Sequence, residues 1–331
     1  MKVSSMQDEV WIYENYQKIL EKSLLCADQA WFDRNHNHHE AHKFINYSLS
    51  DLLNFKTRVI GGMGFAPYDY DYLMTSKNGC IINQKTIDHI YNSYRHMKKN
   101  YSQYINNFST ALEDDDNFGG ATLQILPENL EVSLFSIRTA FRIFDFQANL
   151  DRLNLQPNLH DILEIGGGYG KSLYDWMCIY DIRTAYYVDL PVNIAAAALY
   201  FNKRSDKKIN FVIEEDDKIE EGCVNFVVPW KLSCIKKVGL VINFNSLHHM
   251  TKRSQNYYFT HFIQERSEYF FHQNRLRAKP GHQSEGDLES TIRDTTMQLL
   301  ASSSFKTQNS DGLFDIWSQF YRKSAGVSDQ M

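Results

Sequence analysis

Residues 161 to 171 read Asp-Ile-Leu-Glu-Ile-Gly-Gly-Gly-Tyr-Gly-Lys: an apolar run ends in Glu164 and passes into Gly166, Gly167, Gly168, Tyr169 and Gly170 before a helix-like stretch. Glycines at this spacing allow tight backbone without Cβ atoms, which a ligand can approach closely. A helix behind them turns free N–H groups and a positive dipole end toward an anionic group. The chemistry predicted is the binding of a nucleotide-like molecule, because four glycines in five residues exceed what a plain turn requires. Spacing then separates ligand classes. A dinucleotide loop, G-x-G-x-x-G, counted from Gly166 and Gly168 puts its third glycine where the chain has Lys171. A phosphate loop, G-x-x-x-x-G-K-[ST], finds its end in Gly170, Lys171 and Ser172, but its first glycine falls on Ile165. Asp189 closes a second strand-like run, Ala185 to Val188, about twenty residues after the glycines, where a carboxylate can accept both hydroxyls of a ribose. An Asp shortly before Pro191 also serves as a turn or helix cap.

The spacing that remains, E-x-G-x-G-x-G from Glu164 to Gly170, resembles motif I of the class I S-adenosylmethionine-dependent methyltransferases. That resemblance implies S-adenosyl-L-methionine as cofactor, held through Glu164, Gly166, Gly167, Gly168, Tyr169, Gly170, Asp189 and Leu190. Tyr169 would face the sulfonium, and Pro229 and Trp230 would line the adenine; each is equally plausible as a packing residue. The implied chemistry is an in-line methyl transfer, for which the protein aligns donor and acceptor and removes a proton. A third strand-like run, Gly239 to Ile242, ends in Asn243-Phe244-Asn245-Ser246-Leu247-His248-His249-Met250. In open α/β sheets ligands sit at the carboxyl ends of strands, so the acceptor is expected here. Taking a proton from a poorly acidic alcohol near neutral pH suits histidine, which makes His248 or His249 the candidate base. Paired histidines after a strand also serve as caps or core groups. Asn243, Asn245 and Ser246 either bind acceptor hydroxyls or cap the helix expected from Thr251.

Five segments, Leu163–Ser172, Tyr187–Pro191, Phe226–Trp230, Asn243–Met250 and Tyr269–Arg275, are together similar to the sugar O-methyltransferase family of bacterial glycan and sugar-antibiotic pathways, over roughly residues 130 to 276. The resemblance implies a sugar hydroxyl as acceptor, in a nucleotide-linked or glycan-linked saccharide. That family carries Glu before the Met, where this chain has His249. Two alternatives stand beside it. A NAD-dependent sugar oxidoreductase or epimerase shares the α/β layout and Asp189 but expects the third glycine. A non-catalytic methyltransferase-like binding protein keeps the fold, and the missing Glu is its one hint.

These residues require strands to carry them and helices to cover them. Strands are expected near 161–165, 184–189, 224–228, 238–243 and 267–272, with helices near 170–180, 191–204, 251–265 and 286–303. The fold class is therefore α/β, a doubly wound sheet over 156–331, which the resemblance implies is Rossmann-like and of class I methyltransferase type. Residues 1–155 form a mainly helical N-terminal region, a candidate acceptor-binding lid or oligomerisation part. There Val10 to Leu25, Ile87 to Tyr94, and above all Leu134, Ile137, Phe141, Phe144 and Ala148 recur at helical spacing. Residues 55–83, with Gly61 to Gly64 and Tyr68, Tyr70 and Tyr72, read as a loop-rich aromatic stretch that either connects or lies over a ligand, residues 276–287 as an exposed connection, and the tail from Lys323 as frayed.

With 331 residues, 43% of them hydrophobic, the chain can bury a large core. A net charge of −5 without a basic block points away from nucleic acid, and no run approaches the roughly twenty apolar residues of a membrane span. Five scattered cysteines without a C-x-x-C pair favour a reducing cytoplasm. No metal is expected. His38 and His42 lie one helical turn apart, but Lys43 breaks the H-E-x-x-H pattern, and Asp114 to Asp116 reads as a solvated loop. Oligomeric state is left open, with a homo-oligomer among the alternatives.

Overall fold

The computed structural model describes residues 5–25, 47–54, 73–76, 79–82, 84–112, 123–125, 130–132, 134–277, 286–309 and 312–324. The N-terminal part holds helices α1 (Met6–Leu25), α2 (Leu49–Asn54), α3 (Gln84–Asn100), α4 (Ser102–Ile105) and α5 (Leu134–Leu153). Two small antiparallel pairs lie between them, β1 (Leu73–Ser76) with β2 (Gly79–Ile82) and β3 (Leu123–Ile125) with β4 (Leu130–Val132). In α5 the three-to-four spacing buries Ile137, Ala140 and Phe144, with Ile143 and Phe146 widening the stripe. That helix delivers the chain to the first strand of the large sheet.

From there strand and helix alternate: β5 (Asp161–Ile165), α6 (Lys171–Ile179), β6 (Thr184–Val188), α7 (Pro191–Arg204), β7 (Ile209–Val212), β8 (Val224–Val227) and β9 (Val238–Phe244). They are followed by α8 (Lys252–Tyr258), a π-helical segment (Phe259–Ile263), α9 (Gln264–Arg266), β10 (Ser267–Asn274), α10 (Leu288–Arg293), β11 (Met297–Asn309) and β12 (Gly312–Lys323). The eight strands β5 to β12 form one sheet in the order β11-β12-β10-β9-β5-β6-β8-β7. All its neighbours are parallel except β12, which runs antiparallel to both β10 and β11. This is a doubly wound, Rossmann-like α/β sheet.

Both faces are covered, so the central strands are apolar throughout instead of alternating. Ile162, Tyr187, Phe226, Leu240 and Ile242 face one apolar cluster that includes α5, Trp176 of α6 and Ile12 of α1. Leu163, Ile165, Val188, Val227 and Val241 face the other, closed by Tyr258, Phe259, Phe262 and Leu288. Strand order reverses between β5 and β9, and at such a switch point the carboxyl ends of the strands leave a crevice.

Strands β1 and β2 fall within the 55–83 stretch expected to be loop-rich, and three later elements also differ from expectation. The helix expected at 286–303 stops at Arg293, and Met297 onward is strand. Thr295 and Thr296 are β-branched and Ser302 to Ser304 compete for backbone hydrogen bonds, so the local preference for helix is weak. Pairing β12 along Tyr269–Asn274 also covers the edge of β10. β7 is a four-residue strand with too little pattern to read in advance. The expected helix over 251–265 is composite, with a π-helical middle. The stretches His36 to His42, Gly61 to Tyr72 and Asp114 to Asp116, most of the 276–287 connection, and the tail beyond Ser324 lie outside the described residues. Among the described residues no helix is long and apolar enough to cross a membrane.

Candidate active site

The glycine segment turns at the carboxyl end of β5. Gly166 has φ +70°, its N–H donates to the Val188 carbonyl (2.8 Å), and a Cβ there would lie 1.8 Å from Ser246 Oγ. Only glycine lets the loops after β5 and β9 meet so closely. Gly168 also has positive φ, +66°, but a Cβ there would meet no atom within 4 Å, so this position faces open space. Gly167 packs on the Glu164 carboxylate and the Tyr187 ring, and Gly170 is the N-cap of α6. Tyr169 is buried edge-to-face on Tyr200.

Glu164, next to last in β5, is 1% exposed. Its Oε2 accepts from the Leu173 N–H (3.1 Å), while Oε1 and the neighbouring Ser172 hydroxyl, both buried, make no hydrogen bond of standard geometry. Burial pushes this carboxyl up from 4.5 to about 7, against the pull of Ser172 and Arg142. Asp189 lies one strand over. Its Oδ2 accepts from the Gly168 N–H (2.9 Å) and faces the Tyr187 hydroxyl (3.0 Å); its Oδ1 accepts from the Leu190 N–H (2.7 Å) and Asn193 Nδ2 (2.9 Å). The Tyr187 hydroxyl also closes on the Gly168 carbonyl, and its single proton serves one of these two acceptors. Burial raises the Asp189 carboxyl too. Asp189 thus braces the glycine loop, with both of its carboxylate oxygens engaged within the protein.

A narrow cleft open to solvent runs along this loop. Glu164, Gly166, Gly167, Gly168 and Tyr169 line it together with Arg138, Thr139, Arg142, Lys171, Ser172 and Phe244. Lys171 is spent on Asp175 (2.9 Å) in a buried pair. Arg142 differs: its guanidinium sits 4.6 Å above the centre of the Phe244 ring and has no hydrogen-bond acceptor among the described residues. Burial first, and then the charge of Arg138, lower its pKa to about 9, while Glu164 opposes the fall. It remains a cation at neutral pH with its N–H groups unspent. Arg138 and Arg142 were missed from sequence. Their signal was a pair of arginines four apart, beside the apolar stripe of the helix that enters β5.

The remaining expected residues lie off this cleft. Leu190 caps α7, Pro229 is buried with its carbonyl held by the Tyr257 hydroxyl (3.0 Å), and Trp230 packs half-buried on the core. Asn243, expected to bind acceptor, is 0% exposed and committed within the protein: Nδ2 donates to the Ile165 carbonyl (2.6 Å), and Oδ1 accepts from the Leu247 N–H (3.2 Å) and Asn274 Nδ2 (2.8 Å). It ties the loop after β9 to the end of β5. Asn245 is different, a non-glycine residue at φ +55° whose buried Oδ1 has no partner. Such strain with an unspent acceptor marks a candidate ligand contact. Ser246 packs on Gly166. His248 is buried at 4% exposure with Nδ1 2.9 Å from Asn274 Oδ1. His249 is half-buried, its ring centre 4.1 Å from that of His248.

No protein-family model matches the chain, and no curated protein does. Solved structures give partial overlaps. The chain is similar to the N-methyltransferase NodS from Bradyrhizobium japonicum, with 12% identity, 54% of this chain and 96% of that one covered, and a TM-score of 0.38. It is also similar to a SAM-dependent methyltransferase from Leishmania major (11%, 54% and 71%, 0.38) and to the [4+2]-cyclase SpnF (10%, 70% and 95%, 0.42). The reading of the site rests on its own residues.

Proposed function

We propose that this chain is an S-adenosylmethionine-dependent methyltransferase acting on a hydroxyl of a sugar, nucleotide-linked or glycan-linked. One observation carries the donor: the cleft beside the glycine loop sets a carboxylate with an unspent oxygen, Glu164, near a guanidinium that has no acceptor among the described residues, Arg142. Every α-amino acid end carries an ammonium and a carboxylate on one carbon, and this pair complements both. The pyrophosphate of a dinucleotide has no cation for Glu164 to bind. Gly168 leaves room beside the loop.

The bound donor supplies an electrophilic methyl group. The chain's own residues do the rest: Glu164 and Arg142 orient the amino-acid end, and the loop after β9 presents the acceptor through Asn245. His248 takes the hydroxyl proton while the oxygen gains the methyl group and sulfur keeps the electrons of the broken S–C bond. The sugar is taken from the resemblance of the five motif segments. Incubation with methyl-labelled donor and a panel of nucleotide sugars and oligosaccharides tests it by mass spectrometry. The account expects label on a sugar oxygen; label on nitrogen, or on non-saccharide acceptors alone, rejects the sugar.

A further inference from the structure

Asn243 near the end of β9, Asn274 at the end of β10 and His248 in the loop after β9 form a hydrogen-bonded chain whose direction can be read from its anchored end. Asn243 Nδ2 points at the Ile165 carbonyl, which only accepts, and Asn243 Oδ1 at the Leu247 N–H, which only donates. Its amide therefore has one orientation. Asn274 must then turn its NH2 to Asn243 Oδ1 (2.8 Å), with His272 Nδ1 at 3.4 Å from the same nitrogen. Burial drives the His272 pKa down to about 3, so its ring is neutral and can accept there. This leaves Asn274 Oδ1, an acceptor, facing His248 Nδ1 at 2.9 Å. A hydrogen bond forms across that gap only if Nδ1 carries the proton.

We infer that Asn243 and Asn274 are positioning residues that hold His248 in its Nδ1–H tautomer, so that Nε2 carries the lone pair that accepts the hydroxyl proton. The inference rests on the methyltransferase reading for its chemistry and on the amide chain for its geometry. Proton transfer gives an imidazolium whose Nδ1–H stays on Asn274 Oδ1. An amide oxygen does not take a proton at neutral pH, so the proton leaves again from Nε2. This makes His248 the proposed base.

Long-range 1H–15N spectra of histidine-labelled full-length protein, with His248 assigned by its loss in His248→Gln, test this directly. The expected result is a neutral His248 with the Nδ1–H shift pattern in the wild type. In Asn274→Leu a shift toward the Nε2–H pattern is expected, while affinity for S-adenosylhomocysteine stays within about twofold, as for a site not coupled to the donor. A wild-type His248 protonated at Nε2 alone overturns the inference without any variant being needed. Failure of S-adenosylhomocysteine to bind the wild type overturns the methyltransferase reading instead, and the tautomer remains readable on the same sample.

Discussion

At the residue scale the site is defined by charges that folding has buried without fully satisfying. Glu164 holds its proton up to about pH 7 in the folded chain and releases it near 4.5 when unfolded. The folded state thus binds more protons across that window, and this group lowers stability as pH rises through it. An ammonium placed against Oε1 reverses the cost, because it favours the charged carboxylate. Affinity for S-adenosylhomocysteine should therefore climb as pH rises through about 7, and Glu164→Gln should flatten that climb. Calorimetry across the range decides, and a wild-type affinity independent of pH would count against Glu164 as the ammonium partner. Acids and histidines at strand ends are expected on the ligand side of such a sheet: Glu164 lines the cleft and Asp189 braces its loop, whereas His248 and His249, the alternative bases, lie off it. Arg142 was not legible, since a sequence does not say which strand end a preceding helix faces. Asn243 read as a ligand contact because its burial depends on Asn274, thirty-one positions away.

At the element scale the glycine loop divides its labour. Gly166 is pinned by contact with Ser246, whereas Gly168 opens onto space. Gly166→Ala forces the loop after β9 to move in addition to the roughly 1–2 kcal/mol of a left-handed non-glycine residue. Gly168→Ala carries only that backbone cost. Thermal unfolding should therefore show Gly166→Ala as clearly the less stable variant, while Gly168→Ala stays folded and loses donor affinity, its Cβ standing in ligand space. Equal stability of the two would mean that the contact with Ser246 relaxes freely. The strands from β5 to β10, β7 apart, were legible because both-sides burial leaves continuous apolar runs bounded by turn residues. The β11–β12 hairpin was not, because its Ser-rich stretch has no period of its own and pairing along β10 decides its state.

At the scale of the whole molecule, one apolar cluster joins α1 and α5 to the sheet, and α5 completes the cleft by adding Arg138, Thr139 and Arg142 to the glycine loop. The cleft proposed to hold the donor is thus built from the N-terminal part as well as the sheet, a union that motif spacing alone does not reveal. The most direct test is calorimetric titration of the full chain with S-adenosylmethionine and, separately, with NAD. The account predicts one-to-one binding of S-adenosylmethionine, weakened roughly 10- to 100-fold by Arg142→Leu or by Glu164→Gln, as for hydrogen bonds to charged groups, and no binding of NAD. Binding of NAD in its place, or an S-adenosylmethionine affinity that neither substitution changes, would contradict it.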